Sequence, residues 1–510
     1  MFGQADTSAI VGIDGKRVIV EADYGQGLPS FDMVGFLGSE VREARERVRS
    51  ALKNTGIQVP PGRLTVNLSP ADLRKNGNSF DLPVAVAILA ALGILPEDSI
   101  KECSFVGELA LDGGLRAING VLSHVILAHE LNKKYCVVPK ENVREGRAVS
   151  GIMTVGFSSL QDVMHFLLTG EFEEEITSTG EQAEAPQAQT LDFSEILGQE
   201  AVKRAAAVAS AGMHGLLMIG PPGTGKTLTA KRIPTILPPL TPKEQIECSK
   251  IHSVAGLLHP EDGLIKLRPF RSPHHTVSAS ALVGGGVVPR PGEMSLAHNG
   301  VLFLDELAEF PKTVLEVMRQ PLEDQRVVIS RVHGSYVFPT RVMLVCAMNP
   351  CRCGYYPDRS RCRCSEAEVR QYLSRLSRPL LDRIDIACEV PRVEASKLSE
   401  AKASGMDSET LKRLVADAWE IQKERYQGTG ILFNSQLEGK RLRKYCQLGK
   451  EEQALLSEAF EKLELSARAH DRILKVARTA ADIDGSEKIG MKHLSEAISY
   501  RTADRKFFGG

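Results

Sequence analysis

The sequence predicts an α/β protein: a parallel sheet built around a glycine-rich loop, followed by a helical lid and preceded by a separate α+β domain. Three observations predict it. An apolar run at 216–219 leads straight into Gly220, Pro221, Pro222, Gly223, Thr224, Gly225, Lys226 and Thr227, and then into a helical stretch. A second apolar run, 301–304, ends in the paired acids Asp305 and Glu306. Beyond about residue 394 the pattern is helical, with amphipathic runs at 408–427, 450–463 and 467–483.

A chain of 510 residues exceeds one hydrophobic core. The expected divisions are 1–168, an acidic linker at 169–190, a core at 191–393 and a lid at 394–510. In the first division, residues 18–22 and 64–68 read as strands, 40–53 and 83–92 as helices. The linker holds six Glu and neither Lys nor Arg, so it repels itself and has little to bury. In the core, 200–211 reads as a helix, 216–219 and 301–304 as buried strands, 311–322 as a helix and 341–347 as a third strand. Residues 326–338 read as a hairpin turning at His333, Gly334 and Ser335. The stretch 266–300, rich in Gly, Pro and His, reads as an insertion.

Apolar residues make up 43% and charged ones 25% of the chain, with a net charge of −1. No run is long enough to span a bilayer, and the N-terminus lacks the basic and apolar segments of a signal peptide. A cytoplasmic location is therefore expected, with the ten cysteines reduced, buried or bound to metal. Positive charge is local: residues 351–383 carry eight Arg against four acids.

The glycine-rich segment matches G-x-x-x-x-G-K-[ST]. Its backbone N–H groups can close around phosphates at a helix N-terminus. Lys226 supplies a cation to the β- and γ-phosphates of ATP, and Thr227 a hydroxyl to Mg²⁺. Asp305 is the expected second Mg²⁺ contact and Glu306 the group that polarises the attacking water. Asn349, ending the third strand, can orient that water or the γ-phosphate.

With these motifs in place the core resembles AAA+ ATPases. The resemblance implies that Asn349 is their sensor-1 residue. Arg383, in the segment 380–385, is implied as the arginine finger, and Arg468 as the sensor-2 residue. Residues 292–300 resemble the helix-2 insertion of the magnesium-chelatase-related branch, and the 326–338 hairpin its pre-sensor-1 insertion. Almost the whole chain resembles the competence protein ComM (YifB-like) family. That resemblance implies a homo-hexameric ring driving DNA branch migration in natural transformation or recombination. The hairpin residues Arg331 and His333 would then face DNA in the pore. The rival is a chelatase-like ATPase that remodels a protein partner.

Residues 1–168 resemble the proteolytic domain of Lon, with Ser79 near its nucleophile. A Ser–Lys dyad needs the lysine as base, yet Leu122 stands at the matching position, so a non-proteolytic scaffold or DNA-contacting module is expected. Cys351, Cys353, Cys362 and Cys364 place four thiols within fourteen positions; they suit a Zn²⁺ site, or clustered reduced thiols. His274, His275 and His298 lack ligand spacing and read as satisfied loop histidines.

Overall fold

In the computed structural model, which describes residues 1–172, 191–258, 263–332, 334–392, 406–463 and 465–508, the core is a five-stranded sheet. The strand order is Phe270–Arg271, Val301–Leu304, Met343–Met348, Leu216–Ile219, Ile386–Glu389, and every neighbouring pair is parallel. Unbroken apolar runs suit such strands because both faces are covered. Leu216, Met218, Val301, Phe303, Met343 and Val345 pack with the helices Glu200–Gly212, Ser408–Arg425 and Ala467–Ile483 on one face. Leu217, Ile219, Leu302, Leu304 and Met348 pack with Lys312–Val317, Glu366–Leu373 and the cysteine-rich loop on the other.

The expected 311–322 helix is two, Lys312–Val317 and Arg319–Asp324. Pro321 explains the break: its ring collides with the carbonyl four residues back, that of Val317, and it offers no N–H. The third strand begins at Met343 rather than 341, because Arg341 turns aside to His298 and Asn299. The hairpin forms with Arg326 opposite Pro339 and Arg331 opposite Gly334. Gly334 and Ser335 are thus already strand and Val332 is a turn residue, so the turn falls earlier than expected; His333 lies outside the described residues. Within 266–300 run the two-residue edge strand Phe270–Arg271 and a small antiparallel pair, Gly284–Gly285 with Arg290–Pro291. The C-terminal region is helical as expected, from Ser408–Arg425 through Gly439–Tyr445, Lys450–Lys462 and Ala467–Ile483 to Met491–Phe508.

The N-terminal region carries a four-stranded sheet ordered Phe2–Val11, Asp14–Gly25, Arg63–Ser69, Ser30–Val34, and a parallel sheet of Cys103–Phe105, Tyr135–Pro139 and Met153–Phe157. The helix Asp81–Ala91 is buried along its whole length, packed on the four-stranded sheet and on the Ser39–Asn54 helix. The Leu160–Thr169 helix closes the region, and Phe172 packs on Phe166 at 5.6 Å between ring centroids. The rest of the expected linker, and the expected boundary near 394, lie outside the described residues.

This region is docked on the core. Ile13 joins an apolar cluster with Ile251, Val327, Ile329 and Phe338. A methyl group at Gly12 would sit 2.7 Å from the Val337 carbonyl oxygen. The Ser253 hydroxyl and the Leu122 N–H both donate to Glu145 Oε1, and Lys250 pairs with Asp14. The hairpin stem is therefore a contact between the N-terminal region and the core. Among the described residues no helix is long and apolar enough to cross a membrane.

Candidate nucleotide-binding site

Three neighbouring strands end together. Leu304 pairs with Cys346, and Ile219 with Met348, so Asp305, Asn349 and Gly220 emerge side by side at the C-terminal edge, where α/β sheets bind ligands. The loop from Gly220 carries left-handed backbone at Gly223 (φ 74°) and Gly225 (φ 86°), and a side chain at either would point into open space. Glycine supplies that backbone without strain and leaves the concave side clear for phosphate oxygens. Lys226 opens the helix Lys226–Ile236.

Lys226 Nζ donates to Gly220 O at 2.7 Å, Pro221 O at 2.8 Å and Asn349 Oδ1 at 3.2 Å. Burial lowers its pKa to about 8, against the opposing pull of Asp305. Thr227 Oγ1 donates to Asp305 Oδ2 at 2.6 Å. This hydroxyl and carboxylate form the hard oxygen pair that Mg²⁺ prefers. The Glu306 N–H donates to Asp305 Oδ1 at 2.9 Å, and Glu306 is itself left-handed at φ 52°. That backbone is uncommon for a residue with a β-carbon, and it turns the carboxylate out of the strand line. His275 Nδ1 lies 3.3 Å from Glu306 Oε2, with the ring edge-on to Phe310.

His275, expected to be a satisfied loop histidine, instead stands at this site. Its partner is acidic and 31 positions away, and only the pairing of the Phe270–Arg271 and Val301–Leu304 strands brings them together. His298 conforms to expectation, held against Glu247 at 3.2 Å, and His274 bonds Thr276 at 2.9 Å.

Arg383 and Arg468 are elsewhere. The Asp385 N–H donates to Gly215 O at 3.1 Å and Ile386 pairs with Leu216, so the segment bearing Arg383 lies at the N-terminal edge of the sheet, a strand length from the loop. Arg383 is 13% exposed; it pairs with Glu323 and donates to Arg319 O at 3.2 Å. Arg468, 70% exposed, lies 3.6 Å from Asp382. The two arginines share one surface, and the fold does not bring them to the Lys226 group of the same chain.

The four cysteines converge, with all sulfurs within 4.8 Å of one another. Cys351 Sγ lies 3.4 Å from Cys353 Sγ and 3.8 Å from Cys362 Sγ, and the Cys353–Cys362 separation is 3.6 Å. Tetrahedral Zn–S bonds of about 2.3 Å require sulfurs roughly 3.8 Å apart, so the donor set fits. Against burial, the N–H groups of Tyr355 and Arg363 bring the Cys353 thiol down to about 6, favouring the thiolate a metal needs.

At the end of the first hairpin strand, Arg331 Nη2 donates to Gly286 O at 3.4 Å. This joins the hairpin tip to the 286–289 turn; Val332 and Val287 there are 95% and 89% exposed. In the N-terminal region Leu122 is fully buried, and the Lys75 ammonium donates to Pro70 O.

The depressed lysine predicts a pH effect. Above pH 8 a growing share of free chains carries neutral Lys226, whereas phosphate favours the ammonium. ATP affinity should fall as pH rises through 8, with proton uptake on binding. Calorimetry at pH 8.5 in two buffers of different ionisation enthalpy reads that uptake directly; equal heats would contradict it.

Family models described as magnesium chelatase, subunit ChlI, match residues 192–398, and as its C-terminal part, residues 405–501. One described as subunit ChlI of Mg-chelatase matches residues 20–142. The chain is 43% identical over 508 residues to Competence protein ComM of Haemophilus influenzae, covering 98% of this chain and 97% of that protein. It is 42% identical over 499 residues to the protein YifB of Escherichia coli, covering 98% and 97%. A weaker similarity, 24% over 147 residues, links 28% of the chain to 19% of a Lon protease of Salinispora arenicola.

Proposed function

The chain belongs to the magnesium-chelatase-related ComM/YifB family of AAA+ ATPases, and from that premise we propose a ring-forming motor, a homo-hexamer, that drives branch migration of DNA with ATP hydrolysed between neighbouring copies. The observation that carries this reading is the division of the site. Lys226, Thr227, Asp305, Glu306 and Asn349 face one edge of the sheet, while Arg383 and Arg468 lie at the other. A phosphate-binding edge on one copy and an arginine edge on the next make one complete site.

In that site Lys226 holds the β- and γ-phosphates, and Asn349 fixes the lysine and orients water. Thr227 and Asp305 hold Mg²⁺, which neutralises developing phosphate charge when bound. Glu306 accepts the proton of the attacking water. The neighbour's Arg383 stabilises the transferring phosphoryl group, and its Arg468 supports the same oxygens. The cysteine cluster holds one zinc ion. The N-terminal region is a non-proteolytic docking module, since Leu122 offers no base.

DNA is met at the end of the hairpin, where Arg331 and the exposed Val332 and Val287 form one tip. A cation there tracks phosphates without reading bases, and apolar tips suit stacked or splayed bases. His333, assigned to the same contact from sequence, lies outside the described residues.

The test is ATPase rate with no DNA, single strands, duplex and a four-way junction. The junction should stimulate most. Arg331→Glu should remove the stimulation and junction movement while keeping basal hydrolysis. If no DNA stimulates the wild type, the protein-remodelling reading, supported by the chelatase family match, takes its place.

A further inference from the structure

The four-cysteine loop is built into the wall of the nucleotide site rather than hung from it. Cys351 follows Asn349 by two residues, and the Tyr356 N–H donates to its sulfur at 3.4 Å. Cys351 and Cys362 share a buried cluster with Ile219, Met348 and Leu307, which lie at or just beyond the ends of the glycine-loop, sensor and acidic strands, and with Tyr372 of the Glu366–Leu373 helix. The loop also lies directly on the glycine-rich segment. Gly354 has φ 85°, and a methyl group there would be 2.5 Å from Pro222 Cδ.

We propose that this cluster is a redox-responsive zinc site that governs the ATP site. With zinc bound, the loop braces Pro222 and Asn349; oxidation of its thiolates by a peroxide releases the ion and disables nucleotide binding and turnover. The inference rests on the ATPase reading above.

The chemistry balances within the loop. A thiolate attacks hydrogen peroxide, forming an S–O bond as the O–O bond breaks, and gives a sulfenic acid and hydroxide. A second thiolate attacks that sulfur, forming the disulfide and expelling a second hydroxide. Two thiolates are oxidised, one peroxide is reduced, two protons complete two waters, and Zn²⁺ leaves because the two remaining thiolates cannot close a tetrahedral site. Cys353 and Cys362, 3.6 Å apart on separate arms of the loop, are the pair placed to bridge. Cys353 and Cys364 are partly exposed, whereas Cys103, Cys136, Cys248, Cys346, Cys388 and Cys446 are all buried. Peroxide therefore reaches the cluster first.

The test titrates the full-length protein with hydrogen peroxide. It follows zinc release with a chromogenic chelator, ATP affinity with a fluorescent ATP analogue, and hydrolysis. Zinc release and loss of affinity should rise together, hydrolysis should fall by about a hundredfold, the scale of a ~1 Å misplacement, and a dithiol reductant with added zinc should restore all three. Gly354→Ala keeps the four thiols and should retain one zinc per chain while weakening the analogue. Protein that carries no zinc, full zinc release with unchanged affinity, or a Gly354→Ala variant that binds nucleotide as the wild type does would each overturn the proposal. Because affinity is read apart from turnover, a lack of hydrolysis before oxidation counts against the ATPase reading, and the affinity arm still decides this one.

Discussion

Glu306→Gln should bind ATP as the wild type does and hydrolyse it at no more than about one hundredth of the rate, the scale of a lost general base. Glutamine keeps the shape and the left-handed backbone of position 306, so Asp305 and Thr227 stay in place. What is lost is the proton acceptor alone. Lys226→Ala separates the roles, because it removes the cation that meets the phosphates and should weaken binding itself. Equilibrium binding of a fluorescent ATP analogue with single-turnover hydrolysis distinguishes the two. Wild-type turnover in Glu306→Gln would place the base elsewhere.

Arg383→Ala should also bind ATP and barely hydrolyse it, for a different reason. A finger contributes about 10³–10⁵ in rate, or roughly 4–7 kcal/mol at about 1.36 kcal/mol per decade. The pair it makes with Glu323 on the surface of its own chain is of a kind worth under about 1 kcal/mol. Arg383 is now tied to Glu323 and to the Arg319 and Pro379 carbonyl oxygens, so engaging a neighbour's phosphate means exchanging those partners for a stronger anion. Arg468, exposed beside it, has the Asp382 carboxylate at 3.6 Å to give up.

The half of this site nearest the glycine loop was legible in the sequence because chemistry and local structure coincide there. The runs 216–219 and 301–304 are apolar throughout since both faces of those strands are covered, and each leads straight into the residues proposed to meet phosphate, Mg²⁺ and water. The arginines were legible as motifs, yet nothing in a linear chain says that Arg383 and Arg468 stand at the far edge of the sheet. Only the pairing of Leu216 with Ile386 fixes that. The two-residue strand Phe270–Arg271 is too short to show a period, so the approach of His275 to Glu306 was hidden with it. Pro321 marks the break at Met318, but the apolar spacing around it continues at helical period across both short helices. The packing of Ile13 and Gly12 on the hairpin stem joins segments more than 300 residues apart, and no local pattern encodes such a contact. The convergence of four sulfurs, by contrast, follows from spacing so tight that the loop has little room to keep them apart.

The proposed site is completed by two copies, and mixing tests that most directly. Chains with Lys226→Ala lack the phosphate side of the site, and chains with Arg383→Ala lack the arginine side. Each preparation alone should be inactive. Combined in one assembly, Arg383→Ala chains would present intact Lys226 to the intact Arg383 of Lys226→Ala neighbours, and hydrolysis should return in proportion to such junctions. If the two variants co-assemble and no ratio restores hydrolysis, the site is not shared between copies.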